Sequence, residues 1–214
     1  MLCLTEPTDA RWIERALGDL DAVLVDHAHC EMKAASNALS LAARSAAFPG
    51  VVRALVALAE EELSHFRRVL DELDRRGIAL GHPPVDPYAV DLRKAASKTF
   101  SERSGRSTTA RAERWRAGGA AWLVERLLVG ALIEARSCER FRLLADALRV
   151  RGEGELAAFY EELFACEARH FRLLVDLATE VAGDGDSVRA RLGEISRSEG
   201  EIVRRLDGTA AIHG

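Results

Sequence analysis

No proline follows position 87. The five prolines occupy positions 7, 49, 83, 84 and 87, so residues 88–214 lack the one residue that both removes a backbone donor and blocks a helix interior. Alanine, leucine, arginine and glutamate, all strong helix formers, are the dominant residues. Aromatic residues make up only 6% of the chain, and the β-branched and aromatic enrichment of strands is missing. An all-β fold is ruled out, and a βαβ fold is disfavoured. With 48% hydrophobic and 30% charged residues over 214 positions, the composition is globular, and a single domain spanning 1–214 is expected.

The breakers divide the chain into helices. A first helical tract begins near Thr8 or Asp9, either of which can serve as an N-cap, and ends at Pro49-Gly50. A second spans residues 51–76, with apolar Val52, Leu55, Ala59, Phe66, Val69 and Leu73 at three- and four-residue steps and Gly77 placed for a left-handed C-terminal residue. Residues 81–87, with three prolines and a glycine, read as a non-helical connection. Further helices are expected over 120–149 and 155–181, joined by the turn Arg151-Gly152-Glu153-Gly154, and a more polar one over about 186–206. Two short turns and one long connection describe an all-α four-helix bundle with one long crossover and additional peripheral helices.

The crossover has its own composition. Residues 93–116 hold eight basic side chains opposed by Glu102 and Glu113 alone, a local excess of six positive charges inside a chain of net charge −4. A solvated, partly disordered linker and a nucleic-acid contact are both consistent with it. The start MLCLTEPTDARW has no basic-then-apolar leader, so no signal peptide is expected. The uncharged apolar run 127–133 is far short of the roughly 20 residues a membrane span needs. Cys3, Cys30, Cys138 and Cys166 show no paired spacing and read as reduced thiols of a cytoplasmic protein.

The chemistry is written twice. Glu62-Leu-Ser-His65-Phe66-Arg67 matches Glu167-Ala-Arg-His170-Phe171-Arg172, and the match extends to Asp71 and Asp176. Residues three apart sit side by side on a helix, so each Glu-x-x-His presents a carboxylate and an imidazole together. Each copy follows a helix with a further acid, Glu31 or Glu134. Aligning these two also pairs Lys33 with Arg136 and Leu41 with Leu144. The repeat favours Glu134 over Glu139, which stays open as the alternative ligand or as a group behind the ligands. His27 lies one turn before Glu31 and can be a ligand or support one. Four carboxylates and two imidazoles in a bundle are the donor set of a dinuclear iron or manganese centre.

Four blocks then carry a resemblance. DHAHCEMKAASNA around Glu31, EELSHFRRVL around Glu62, LIEARSCERFRLLA around Glu134 and EARHFRLL around Glu167 resemble the MiaE family. These are tRNA 2-methylthio-isopentenyladenosine hydroxylases, ferritin-like proteins with a carboxylate-bridged non-haem di-iron centre. The start MLCLTEPTDARW and the helix end Arg75-Arg76-Gly77 fit as well. The resemblance implies oxygen-dependent hydroxylation of the isopentenyl group of a modified adenosine next to the tRNA anticodon. It implies that Glu31, Glu62, His65, Glu134, Glu167 and His170 hold two iron ions, with Glu62 and Glu167 bridging and dioxygen as co-substrate. Electrons are expected from a separate reductase system, because no flavin or nicotinamide fingerprint is present. The stretch 97–118 departs from the family pattern as an insertion, and Arg103, Arg106, Arg111 and Arg114 within it are expected to grip the anticodon arm. The competing readings are a di-iron oxygenase acting on a small molecule and a ferritin-like iron-oxidising or storage protein. A store needs a large symmetric cage, whereas a hydroxylase can be a monomer or dimer.

Overall fold

The computed structural model describes residues 2–83, 86–104, 119–206 and 211–212, with the backbone alone over 99–104. Among the described residues every regular element is a helix: α1 (Arg11–Gly18), α2 (Leu20–Ala43), α3 (Pro49–Arg76), α4 (Pro87–Ser104), α5 (Ala120–Arg151), α6 (Gly154–Ala182) and α7 (Gly185–Leu206). α2 packs along α3 and α5 along α6, giving two hairpins that meet where α3 faces α6. α4 and α7 pack on each other and against α5. None of these helices is long and apolar enough to cross a membrane.

Local chemistry explains the boundaries. α3 opens with Pro49 in its first turn, where a missing N–H costs nothing. It closes on Gly77 at φ 68°, whose left-handed backbone lets the Gly77 N–H donate to Asp74 O and the Ile78 N–H to Leu73 O. Gly152 at φ 86° ends α5 in the same way.

Two expectations need correction. The first helical tract is not continuous. It breaks at Asp19 (φ −141°, ψ 63°), whose side chain accepts from the Ala22 N–H at 3.2 Å and so caps α2. The connection is also shorter than expected. Pro87 is the first residue of α4, and Asp86 accepts from the Ala89 N–H at 3.1 Å. Residues 93–104 are therefore helical and not a linker, anchored by buried Tyr88, Ala89, Leu92 and Ala96. Arg106, Arg111 and Arg114 fall outside the described residues, as does the side chain of Arg103.

The core comes in two parts. One apolar cluster includes Leu55, Leu58, Leu92, Leu127, Leu132 and Leu174. The other includes Trp12, Leu24, Val69, Phe141, Leu156 and Tyr160. On α3 and α5 the repeated acids fall in sequence between the residues given to one cluster and those given to the other. A charged layer thus sits between two dry ones, where only neutralised or metal-bound groups are tolerated.

Candidate metal centre

Each hairpin supplies one half of the layer. α2 contributes Glu31 and α3 contributes Glu62 and His65; α5 contributes Glu134 and α6 contributes Glu167 and His170. Ligand atoms of Glu31, Glu62, His65 and Glu167 lie within 4.8 Å of one another, and so do those of Glu62, Glu134, Glu167 and His170. Glu62 and Glu167 belong to both groups. All six side chains are buried. His65 Nδ1 lies 3.4 Å from Glu62 Oε2, 3.6 Å from Glu31 Oε2 and 3.7 Å from Glu167 Oε1. His170 Nδ1 lies 2.9 Å from Glu62 Oε1 and 3.3 Å from Glu167 Oε2.

These close approaches are not hydrogen bonds. Glu62 Oε1, both Glu167 oxygens and both Nδ1 atoms are buried with no hydrogen-bond partner among the described residues. Groups left this way cost roughly 1–3 kcal/mol each, more when charged, so five in one layer call for a cation. The electrostatics agree. Burial would lower the histidines, yet the carboxylates of Glu31 and Glu62 push His65 up to about 11, and those of Glu167 and Glu62 push His170 up to about 12. Burial, then the charge of Glu62, raises Glu31 far above the carboxylate range; burial, then the charge of Glu167, does the same to Glu134. A field that holds protons this firmly holds metal cations too. Four carboxylates balance two divalent ions, and oxygen donors with two imidazoles suit iron or manganese.

Both remaining candidates for the centre have clear places. His27 is fully buried, and its Nε2 lies 2.7 Å from Glu31 Oε1, while Tyr160 Oη lies 3.3 Å from His27 Nδ1. Burial lowers His27 to about 3. The neutral ring then satisfies both contacts in one tautomer, donating from Nε2 to Glu31 and accepting from Tyr160 at Nδ1. Glu139, the alternative to Glu134, turns into a separate network, accepting from Thr8 Oγ1 at 2.6 Å and from Arg136. Tyr160 gave no sequence signal, because an aromatic at core spacing reads simply as packing. Glu61 was also missed: exposed to solvent, it lies 3.1 Å from His170 Nε2 and holds the ring from outside.

A cavity of about 460 Å³ leads to the layer. Glu31, Glu62, Glu134 and Glu167 form its floor, and Leu55, Leu58, Ile133, Phe141 and Leu174 its walls. Its rim includes Met32, Lys33, Ser36, Asn37, Arg93 and Arg126, all exposed or half-buried. The volume is that of a small-molecule pocket, roughly 300–1,000 Å³. Apolar walls above a polar floor fit a ligand that carries a hydrocarbon group inward.

The family model for tRNA-(ms2io6A)-hydroxylase, MiaE, matches residues 1–214. The chain belongs to the MiaE family. Within it, the chain is 37% identical over 208 residues to the tRNA 2-(methylsulfanyl)-N(6)-isopentenyladenosine(37) hydroxylase of Pseudomonas putida KT2440, covering 97% of this chain and 89% of that one. It is 27% identical over 257 residues to the Salmonella typhimurium LT2 protein of the same name, covering 97% and 86%. Among solved structures, a Synechococcus protein with aldehyde deformylating oxygenase activity superposes with a TM-score of 0.80 at 32% identity, covering 100% of this chain and 96% of that one. The fold is ferritin-like, as the MiaE resemblance implied.

Proposed function

We propose that the chain hydroxylates the isopentenyl group of 2-methylthio-isopentenyladenosine in tRNA at a di-iron centre, in the cytoplasm, with electrons from a separate reductase. The observation that carries this reading is the pair of ligand groups sharing Glu62 and Glu167, with unpartnered oxygens and Nδ1 atoms, at the floor of an apolar cavity. Membership of the MiaE family supplies the substrate. Glu31, His65, Glu62 and Glu167 would hold one iron; Glu134, His170, Glu62 and Glu167 would hold the other. Two irons held there would supply activation of dioxygen, by which, with two electrons from the reductase and two protons, one oxygen atom enters a C–H bond and the other leaves as water.

The chain's own residues do the rest. Leu55, Leu58 and Leu174 exclude water and receive the isopentenyl chain. Tyr160 and His27 fix the orientation of Glu31, and Glu61 that of His170. In this proposal Arg103, Arg106, Arg111 and Arg114 add phosphate contacts along the anticodon arm. Replacing all four is expected to lower tRNA affinity and flatten its salt dependence.

Mass spectrometry of tRNA nucleosides tests the substrate. Cells lacking the gene should accumulate 2-methylthio-isopentenyladenosine and lose its hydroxylated form. An unchanged nucleoside profile would leave the Synechococcus protein's aldehyde chemistry as the reading to pursue.

A further inference from the structure

Two buried guanidiniums of this protein are held by carboxylates. Buried Arg136 lies between Glu199 and Glu139, and buried Arg191 bonds both oxygens of Glu125 at 2.7 Å. At the cavity rim the pattern reverses. Arg126 on α5 donates to the neutral amide oxygen of Asn37 at 3.1 Å. Arg93 on α4 donates to Ala89 O at 2.8 Å, and Arg44 lies over the Trp122 ring at 5.5 Å. Among the described residues none of these three forms an ion pair with a carboxylate. Burial, followed by the charges of Arg93 and Arg44, pushes Arg126 down to about 10. Arg126 thus feels two further positive charges, and among the described residues no carboxylate pairs with any of the three.

Two of them, Arg44 and Arg126, line a second hollow. A polar pocket of about 220 Å³, lined by Ser40, Arg44 and Trp122, shares Asn37, Leu41 and Arg126 with the main cavity. Arg126 therefore stands at the junction of an apolar channel and a cationic cradle.

We infer that Arg126, flanked by Arg44 and Arg93, forms a phosphodiester subsite that holds the RNA backbone beside the adenosine whose side chain descends the channel. This rests on the tRNA reading above and deepens it. A guanidinium binds a phosphate through two parallel N–H···O bonds, and Ser40 Oγ and the Asn37 amide add neutral donors. The subsite gives a physical reason for choosing a residue within RNA over a free nucleoside: the nucleoside brings hydrocarbon to the channel but no anion to the cradle. It is distinct from the basic segment 105–118, which contributes no described residue.

A thermodynamic cycle tests it. The probes are a synthetic anticodon stem-loop carrying 2-methylthio-isopentenyladenosine, and the same RNA with a neutral methylphosphonate at the linkage on either side of that residue. They are titrated into the iron-loaded protein, Arg126→Gln, Arg126→Lys and Arg44→Gln. Arg44 is exposed, so its variant folds whatever happens at Arg126. The all-phosphate stem-loop should bind Arg126→Gln about tenfold more weakly. Its plot of log affinity against log salt should be shallower by roughly 0.7–1, and Arg126→Lys should recover part of the loss. For Arg126→Gln and Arg44→Gln, one of the two methylphosphonates should cost little beyond what the substitution has already cost, because both changes remove the same contact. Full additivity at both linkages, or unchanged affinity and salt slope in Arg44→Gln and Arg126→Gln, overturns the subsite while leaving the tRNA reading intact. Failure of the unaltered protein to bind the stem-loop overturns the substrate reading and the subsite with it.

Discussion

Glu62 and Glu167 are each common to both ligand groups, whereas Glu31 and Glu134 belong to one group apiece. Replacing Glu62 with alanine should therefore lose both irons, and replacing Glu134 should lose one. Iron quantified per chain after anaerobic loading checks this, and two irons retained in Glu62→Ala would refute the assignment. Behind Glu31, Tyr160→Phe removes the donor to His27 Nδ1 and frees the ring to turn. Loss of such an outer partner typically costs ~10–100-fold in metal affinity, a shift readable by competition with a chelator. The six residues that meet in this layer were legible because the repeat states three positions twice. Tyr160 was not, since nothing in the pattern distinguishes it from packing. The repeat also pairs Lys33 with Arg136, and here the two halves part. Lys33 lies at the cavity rim, 3.5 Å from Asp86, whereas Arg136 is fully buried against Glu199.

That divergence comes from α7. Read from its sequence, this helix is the most polar of the set, with Leu192, Ile195 and Ile202 as its apolar positions. Those three are buried, but so are Arg191, Ser196 and Glu199. Glu199 accepts from Arg136 Nε at 2.9 Å, from Arg136 Nη2 at 3.0 Å and from Tyr88 Oη at 3.0 Å, so one carboxylate ties α7 to α5 and α4. Glu199→Ala leaves a buried guanidinium short of its main partner and should destabilise the protein by about 3–5 kcal/mol. Denaturant unfolding monitored by circular dichroism checks this; a loss below about 1 kcal/mol would contradict it. Charge content alone hides such a helix, because it cannot show which polar residues find partners. α4 was hidden differently. Its Asp86-Pro87 start carries both an N-cap and a first-turn proline, but it follows Pro83 and Pro84 closely, and the whole run reads as a breaker.

Across the whole molecule, the ligand layer joins two apolar clusters that otherwise stand apart in the bundle. Metal in that layer would remove the repulsion among four carboxylates and cross-link α2, α3, α5 and α6 at once. Ferrous ion at a hundredfold excess over its Kd should stabilise the fold by about 2.7 kcal/mol. For a chain of this size the matching rise in Tm is roughly 5–10 °C, followed by thermal melting with and without a chelator; an unchanged Tm would show that the layer does not bind iron. The division into helical hairpins was legible from proline placement and the repeat. The open side, where Arg93 and Arg126 at the rim adjoin Arg44 and none of the three has a carboxylate partner among the described residues, was not, because it depends on residues from α2, α4 and α5 brought together only by folding. In the proposed reaction this cavity delivers an RNA-borne isopentenyl group to a di-iron floor. This is tested most directly by giving the iron-loaded protein a chemical reductant, heavy-isotope dioxygen and the modified stem-loop, then weighing the nucleosides. The expected product is hydroxylated adenosine carrying one heavy oxygen atom, formed by the unaltered protein and absent with Glu62→Ala. Unmodified substrate, or a product whose oxygen comes from water, would contradict the account.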